Sequence, residues 1–326
     1  MIGRSFARGS AIRVSFIDFW PGFNPLAYFV PLLRAHPFDF DVEVIDGKGA
    51  DIEFHSVFPS TFKRLTTRAR RKISRLVSHS GSDQHVAIEP STGPVRIWFT
   101  GENLRPPLGK WCATLSFDQD SDLAKNAYFP LWWQLFPELI GDGQQARPGI
   151  VNISRTLPLT AFLSGRQGQA DERRKFACAI ISNPEPTRMR MIETLEELGA
   201  VDVFGHFFGK SVHDKHEIFR DYRFALCFEN DLYPGYVTEK IFDAWGAGCI
   251  PLWWGLDQGS YLNADAFINL AAFEDVEGFV REVASLNGDA ARLRTMSSLP
   301  LLLRRPNLDR VRALLASCFL STRNLE

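Results

Sequence analysis

Residues 222–255, YRFALCFENDLYPGYVTEKIFDAWGAGCIPLWWG, constrain this chain more than any other stretch. Residues 224–228 are a short apolar run without alternation, the pattern of a strand covered on both faces. Pro234 and Gly235 punctuate the polar loop after that run. Ile241, Phe242 and Trp245 then recur at helical spacing, and Gly248 ends that helix before a second apolar run at 250–254. The spacing predicts a strand–helix–strand crossover with parallel strands and a right-handed connection.

Glu229, Asn230, Tyr236, Thr238, Glu239 and Lys240 all fall between the end of the first strand and the first helical turn. In an open α/β sheet that position faces the ligand crevice. A helix N-terminus with Lys240 beside it favours an anion such as a diphosphate, whereas Glu239 would accept hydrogen bonds from hydroxyls. The plainer reading is a capped helix with solvated surface charges. A second crossover is predicted from the unbroken apolar strand at 176–181 and a strand at 201–204, with Met189, Ile192, Leu195 and Leu198 on the helix between them. Arg188 and Arg190 stand in that helix's first turn, where positive charge opposes the helix dipole unless an anion is bound nearby. Otherwise both arginines reach solvent or a surface carboxylate.

At 326 residues the chain is long enough for two domains, expected at 1–150 and 151–326. Strands at 12–19, 42–45, 52–58 and 95–100, with a helix at 26–35 that Pro31 kinks or delays, make the first domain α/β with a parallel sheet. Its first strand–helix turn lacks GxGxxG, so dinucleotide binding there is not expected. Glu102 comes directly after the strand VRIWFT, next to Gly101, which lets the backbone turn tightly and could aim the carboxylate into a cleft. A lone glutamate in a turn is more commonly just solvated.

The segments FENDLYPGYVTEK and AGCIPLWWG resemble the signature of the α-1,3-fucosyltransferases of glycosyltransferase family 10, bacterial type, and TGEN at 100–103 resembles a further family segment. The resemblance implies two Rossmann-like α/β domains facing across a cleft, the GT-B arrangement. The first would be the acceptor-side domain and the second the donor domain binding GDP-β-L-fucose. It implies an inverting transfer of L-fucose to a hydroxyl, O3 of an N-acetylglucosamine or glucose unit, in an oligosaccharide or lipid-linked glycan. It makes Glu102 the catalytic base and puts Arg188 or Arg190 on the diphosphate with Lys240. Asn230 and Tyr236 would meet nucleotide or phosphate oxygens, and Glu239 ribose or fucose hydroxyls. No metal cofactor is expected. Two other readings stay open: a transferase of this architecture using another nucleotide sugar, and a non-catalytic glycan- or nucleotide-binding module.

Other features narrow the partners. A net charge of −1 gives no argument for nucleic acid. Five scattered cysteines without CxxC spacing point to a reducing compartment, with neither a disulfide framework nor a zinc site. No run of 18 uncharged apolar residues is present, and the opening MIGRSFARGS has no hydrophobic core behind its arginine. A cytoplasmic enzyme is expected, peripheral on the membrane only if the basic stretch 61–79 contacts anionic headgroups rather than forming a solvated amphipathic helix. Asp118-Gln-Asp120 imitates a metal-binding DxD but reads as turn chemistry. Gly141 to Ala146 imitates a GxGxxA fingerprint without a preceding strand and reads as a loop. His206, His213 and His216 lack metal-ligand spacing. Residues 308–319 are expected to form an amphipathic helix.

Overall fold

A computed structural model describes residues 5–58, 93–106, 109, 111–141, 157–181, 184 and 186–320. The basic stretch 61–79 and the glycine-rich segment 142–146 lie outside the described residues. The chain divides into two units. One comprises Met1–Ser116, Asp120–Phe129 and Asp309–Glu326, and the other Phe117–Gln119 and Pro130–Leu308.

The first unit carries strands β1 (Ala11–Ile17), β2 (Asp41–Val44), β3 (Ile52–His55), β4 (Val95–Phe99), β5 (Ala113–Ser116) and β6 (Asn126–Tyr128). They form one parallel sheet in the order β2-β1-β3-β4-β5-β6. The expected helix near Pro31 starts late. A 3-10 turn at Pro25–Ala27 precedes the helix Phe29–Arg34, so Pro31 lies in the first helical turn, where its missing N–H leaves no bond unmade. Phe29 packs among Phe16, Phe54 and Phe99, with ring centroids 5.1–5.9 Å away.

The second unit carries β7 (Lys175–Ile180), β8 (Val201–Phe204), β9 (Tyr222–Phe228), β10 (Ile250–Trp254) and the two-residue β11 (Ile268–Asn269). Its sheet is also parallel, in the order β11-β10-β9-β7-β8. Both predicted crossovers are present: β7 pairs with β8 across the helix Pro186–Leu195, and β9 with β10 across the helix Lys240–Gly246. The chain runs outward from β7 to β8, then returns to the other side of β7 to lay down β9, β10 and β11. The strand order therefore reverses between β7 and β9. Connections leaving those two carboxyl ends part company there and open a crevice.

The division differs from a single cut at residue 150. Trp132 stacks on Phe242 of the Lys240–Gly246 helix at 4.7 Å, which ties residues 130–141 to the second sheet. At the other end, the helix Asp309–Phe319 returns to the first unit. Phe319 packs on Phe38 and Phe40 at 5.7 and 6.3 Å. No helix among the described residues is long and apolar enough to cross a membrane.

The Lys240–Gly246 helix has only seven residues, too few to persist on propensity. Burial holds it, since Ile241, Phe242, Ala244 and Trp245 are all in the core. Two arginines close its far end. Arg173 donates to the carbonyl of Ala247 at 2.8 Å, and Arg166 donates to that of Trp245 while lying over the indole ring. Gly248 then turns the chain at φ +93°, and a Cβ there would fall onto the Arg173 guanidinium. Gly248→Ala is expected to lose about 1–2 kcal/mol from backbone strain alone, with more from displacing Arg173. A denaturant midpoint at the wild-type value would refute this.

Candidate donor-nucleotide site

The site is built where β7 and β9 end side by side. Residues 228–230 lie between two cations supplied by different crossovers. From the helix Pro186–Leu195, Arg188 is 6% exposed and donates to the Phe228 carbonyl at 2.8 Å and to Asn230 Oδ1 at 2.5 Å. From the helix Lys240–Gly246, Lys240 donates to Glu229 Oε2 at 3.1 Å and to Thr238 Oγ1 at 2.9 Å. Geometry separates the two arginines: Arg188 reaches this segment, while Arg190 is exposed.

Glu229 organises the loop that leaves β9. Its carboxylate is fully buried and accepts the Thr238 backbone N–H at 2.8 Å and the Thr238 hydroxyl at 2.7 Å besides the Lys240 ammonium. Trp253 Nε1 approaches it to 3.5 Å. A buried carboxylate is tolerable only when its lone pairs are met in this way. Burial lowers the pKa of Lys240, but Glu229 and then Glu239 outweigh it and hold the ammonium above its usual range; Arg188 opposes them.

Glu239 and Asp243 form a second buried pair, one helical turn apart. Lys215, from the helix Lys215–Phe219, joins them: its ammonium lies 2.6 Å from Asp243 Oδ2 and 3.6 Å from Glu239 Oε1. Burial pushes the Glu239 carboxyl up, yet Lys240 and Lys215 outweigh that and bring it down to about 2. Asp243 shows the opposite balance, since burial and the neighbouring Glu239 charge carry it up to about 6 against the pull of Lys215.

Tyr236, expected to meet nucleotide or phosphate oxygens, has its ring in the core. It is 1% exposed, and its ring meets Phe117 edge-on at 4.7 Å. It packs the loop down rather than presenting its ring to solvent. Asn230 is exposed at the loop's start. Glu102 belongs to the other unit. It lies just after β4 at the carboxyl edge of that sheet, half-buried, with its backbone N–H and carbonyl both bonded to the Thr100 hydroxyl.

The aspartates of the DQD segment have structural partners. Asp118 accepts from the Tyr233 hydroxyl at 2.5 Å and Asp120 from the Tyr128 N–H at 2.7 Å, while Asp122 pairs with Arg310 at 2.7 Å. No cluster of three or more histidine, cysteine, aspartate or glutamate side chains suited to a metal occurs among the described residues.

Chemically, the site offers two cations of like sign held near one another at the mouths of two strands, with a carboxylate beside them. Two buried like charges repel, and an anion placed between them relieves that repulsion. Sequence reasoning missed Lys215 and Asp243. Lys215 sits in the polar run HDKHE, which reads as an ordinary surface segment.

Comparison with known proteins adds an independent line. Residues 170–296 match the family described as glycosyltransferase family 10 (fucosyltransferase) C-term. The alpha-(1,3)-fucosyltransferase FucT of Helicobacter pylori is 36% identical over 202 residues, covering 56% of this chain and 42% of that protein. The human 4-galactosyl-N-acetylglucosaminide 3-alpha-L-fucosyltransferase FUT6 is 30% identical over 207 residues, covering 60% of this chain and 51% of that protein. The chain thus spans about half the length, or less, of these curated relatives. Among solved structures, an alpha1,3-fucosyltransferase superposes with TM-score 0.66 at 17% identity over 97% of this chain and 92% of that one. An alpha1,3-fucosyltransferase solved with GDP-fucose gives 0.64 at 16% identity, covering 96% and 91%. The shared fold is the GT-B class expected from the sequence.

Proposed function

We propose that this chain, whose residues 170–296 match the glycosyltransferase family 10 (fucosyltransferase) C-term model, transfers fucose from GDP-β-L-fucose to O3 of an N-acetylglucosamine or glucose unit in a glycan. The observation that carries this reading is the pairing of Arg188 and Lys240 on either side of residues 228–230, at the reversal of strand order. A diphosphate set between them stabilises both cations, and they in turn stabilise the charge that grows on the departing GDP. Such fixed charges act at full strength because they need no reorganisation during the reaction.

Glu239, kept ionised by Lys240 and Lys215, accepts hydrogen bonds from donor hydroxyls. Asn230, exposed beside Arg188, contacts the nucleotide or its phosphates. Glu102 takes the proton from the acceptor hydroxyl as that oxygen attacks the anomeric carbon. A single displacement through an oxocarbenium-like transition state inverts the centre and leaves an α-fucoside. Relatives named for fucosyl transfer at position 3, and a fold neighbour solved with GDP-fucose, support the donor and linkage proposed here.

The test is a transfer assay on purified protein with GDP-fucose, GDP-mannose and UDP-sugars against an N-acetyllactosamine acceptor. Transfer from GDP-fucose alone, undiminished by EDTA, is the expected result. Preference for another donor would overturn the fucose assignment. GDP binding without turnover on any acceptor would favour a binding module.

A further inference from the structure

Lys215 occupies a place that neither the signature segments nor the diphosphate grip explains. Glu239 and Asp243 stand four residues apart, one above the other on the same face of a buried helix. Two carboxylates in that relation repel, and burial multiplies the repulsion. Lys215 lies against both, bonded to Asp243 at 2.6 Å and 3.6 Å from Glu239. It comes from a different element, the helix Lys215–Phe219, whose first turn is capped by Asp214 accepting from His216 and Glu217. A side chain only one-fifth exposed has little freedom, so its ammonium is fixed where it lies.

We infer that Lys215, anchored by Asp243, is a positioning residue that keeps Glu239 ionised and aimed for the fucose hydroxyls of the donor. The inference rests on the donor reading proposed above. The charges facing Glu239 are Lys240 and Asp243 on its own helix and Lys215 from the neighbouring one. Glu229, at the end of β9, and Arg188, from the helix after β7, act on it through Lys240. The Cys227 thiol of β9 faces Lys215 and Asp243 and stays protonated, burial holding it well above its usual range. Of these groups, Lys215 alone touches both carboxylates of the Glu239–Asp243 pair.

The consequence is a division of labour. Arg188 and Lys240 read the diphosphate, which GDP and GDP-fucose share, whereas the Lys215–Asp243–Glu239 cluster reads hydroxyls. Replacing Lys215 with Met keeps the side chain's length and removes its charge. One of the two carboxylates then takes up a proton near neutral pH. In wild-type protein the donor KM is expected to be flat between pH 6 and 8. In Lys215→Met it is expected to rise at least about tenfold at pH 6 and to recover toward pH 9, where Glu239 ionises without help. GDP affinity should move less than threefold. Asp243→Asn removes the competing carboxylate and leaves Lys215 to Glu239, so its KM should show no rise at acid pH.

Equal loss in both variants at every pH, or loss of GDP binding along with KM in Lys215→Met, would make the cluster a structural one and overturn the inference. So would an unchanged KM profile in Lys215→Met. Wild-type protein that fails to bind GDP would instead remove the donor reading itself.

Discussion

Glu102→Gln is expected to lower fucosyl transfer by roughly 10²–10⁴-fold while GDP binds as it does to the wild type, the range typical of a positioned acid–base group. Glutamine keeps the size and shape of the side chain and removes only its ability to take a proton. Glu102 lies just after β4 in the unit that carries neither of the cations proposed to hold the diphosphate, so GDP affinity has no reason to change. The local turn should also survive, because the Thr100 hydroxyl holds the backbone of residue 102 and not its carboxylate. Calorimetric titration with GDP and a GDP-release assay on the same preparation check both halves. Wild-type turnover in the variant would remove Glu102 from the chemistry, and a lost GDP signal would mean it acts through the fold.

Lys240→Met should produce two losses that a second substitution can separate. The first is stability. Without the ammonium, the fully buried Glu229 carboxylate has no counter-charge, and breaking such a pair costs about 3–5 kcal/mol. The second is affinity. A charged hydrogen bond to the diphosphate contributes roughly 1.5–3 kcal/mol, so GDP should bind about 10–100-fold more weakly. Adding Glu229→Gln to the Lys240→Met protein removes the stranded charge. The double variant should regain most of the thermal stability and none of the GDP affinity. If both properties return together, Lys240 serves Glu229 alone and the diphosphate is held elsewhere. The raised Lys240 also sets the sign with pH. Its contribution to stability is complete below the ordinary lysine range near pH 10.5 and fades only as pH climbs through its higher folded value.

How far the sequence disclosed this arrangement depends on which force sets each part. The two crossovers in the second unit were legible because short apolar runs dominate their strands, as coverage on both faces requires. The predicted runs at 201–204 and 250–254 match β8 and β10 residue for residue. Lys240, Glu239 and Arg188 were legible because strand ends and first helical turns can be located from that pattern. Lys215 was not, since its partner Asp243 lies 28 residues away and only the packing of two short helices brings them together. The burial of the Tyr236 ring was not legible for a related reason. Its position in the loop is readable, but whether its ring turns outward or onto Phe117 is decided by a segment 119 residues earlier. The terminal helix 309–319 could be foreseen as a helix, yet its amphipathic pattern says nothing about which sheet it covers.

The return of that helix has a consequence for how the protein is made. The second unit is nearly continuous, residues 130–308 with only three earlier residues added, and leaves the ribosome in one piece. The first unit cannot seat Phe319 against Phe38 and Phe40 until the helix Asp309–Phe319 has emerged. Synthesis therefore completes the unit begun second before the unit begun first, and until residue 319 has emerged the early sheet waits with Phe38 and Phe40 unsealed, a surface for chaperones to guard.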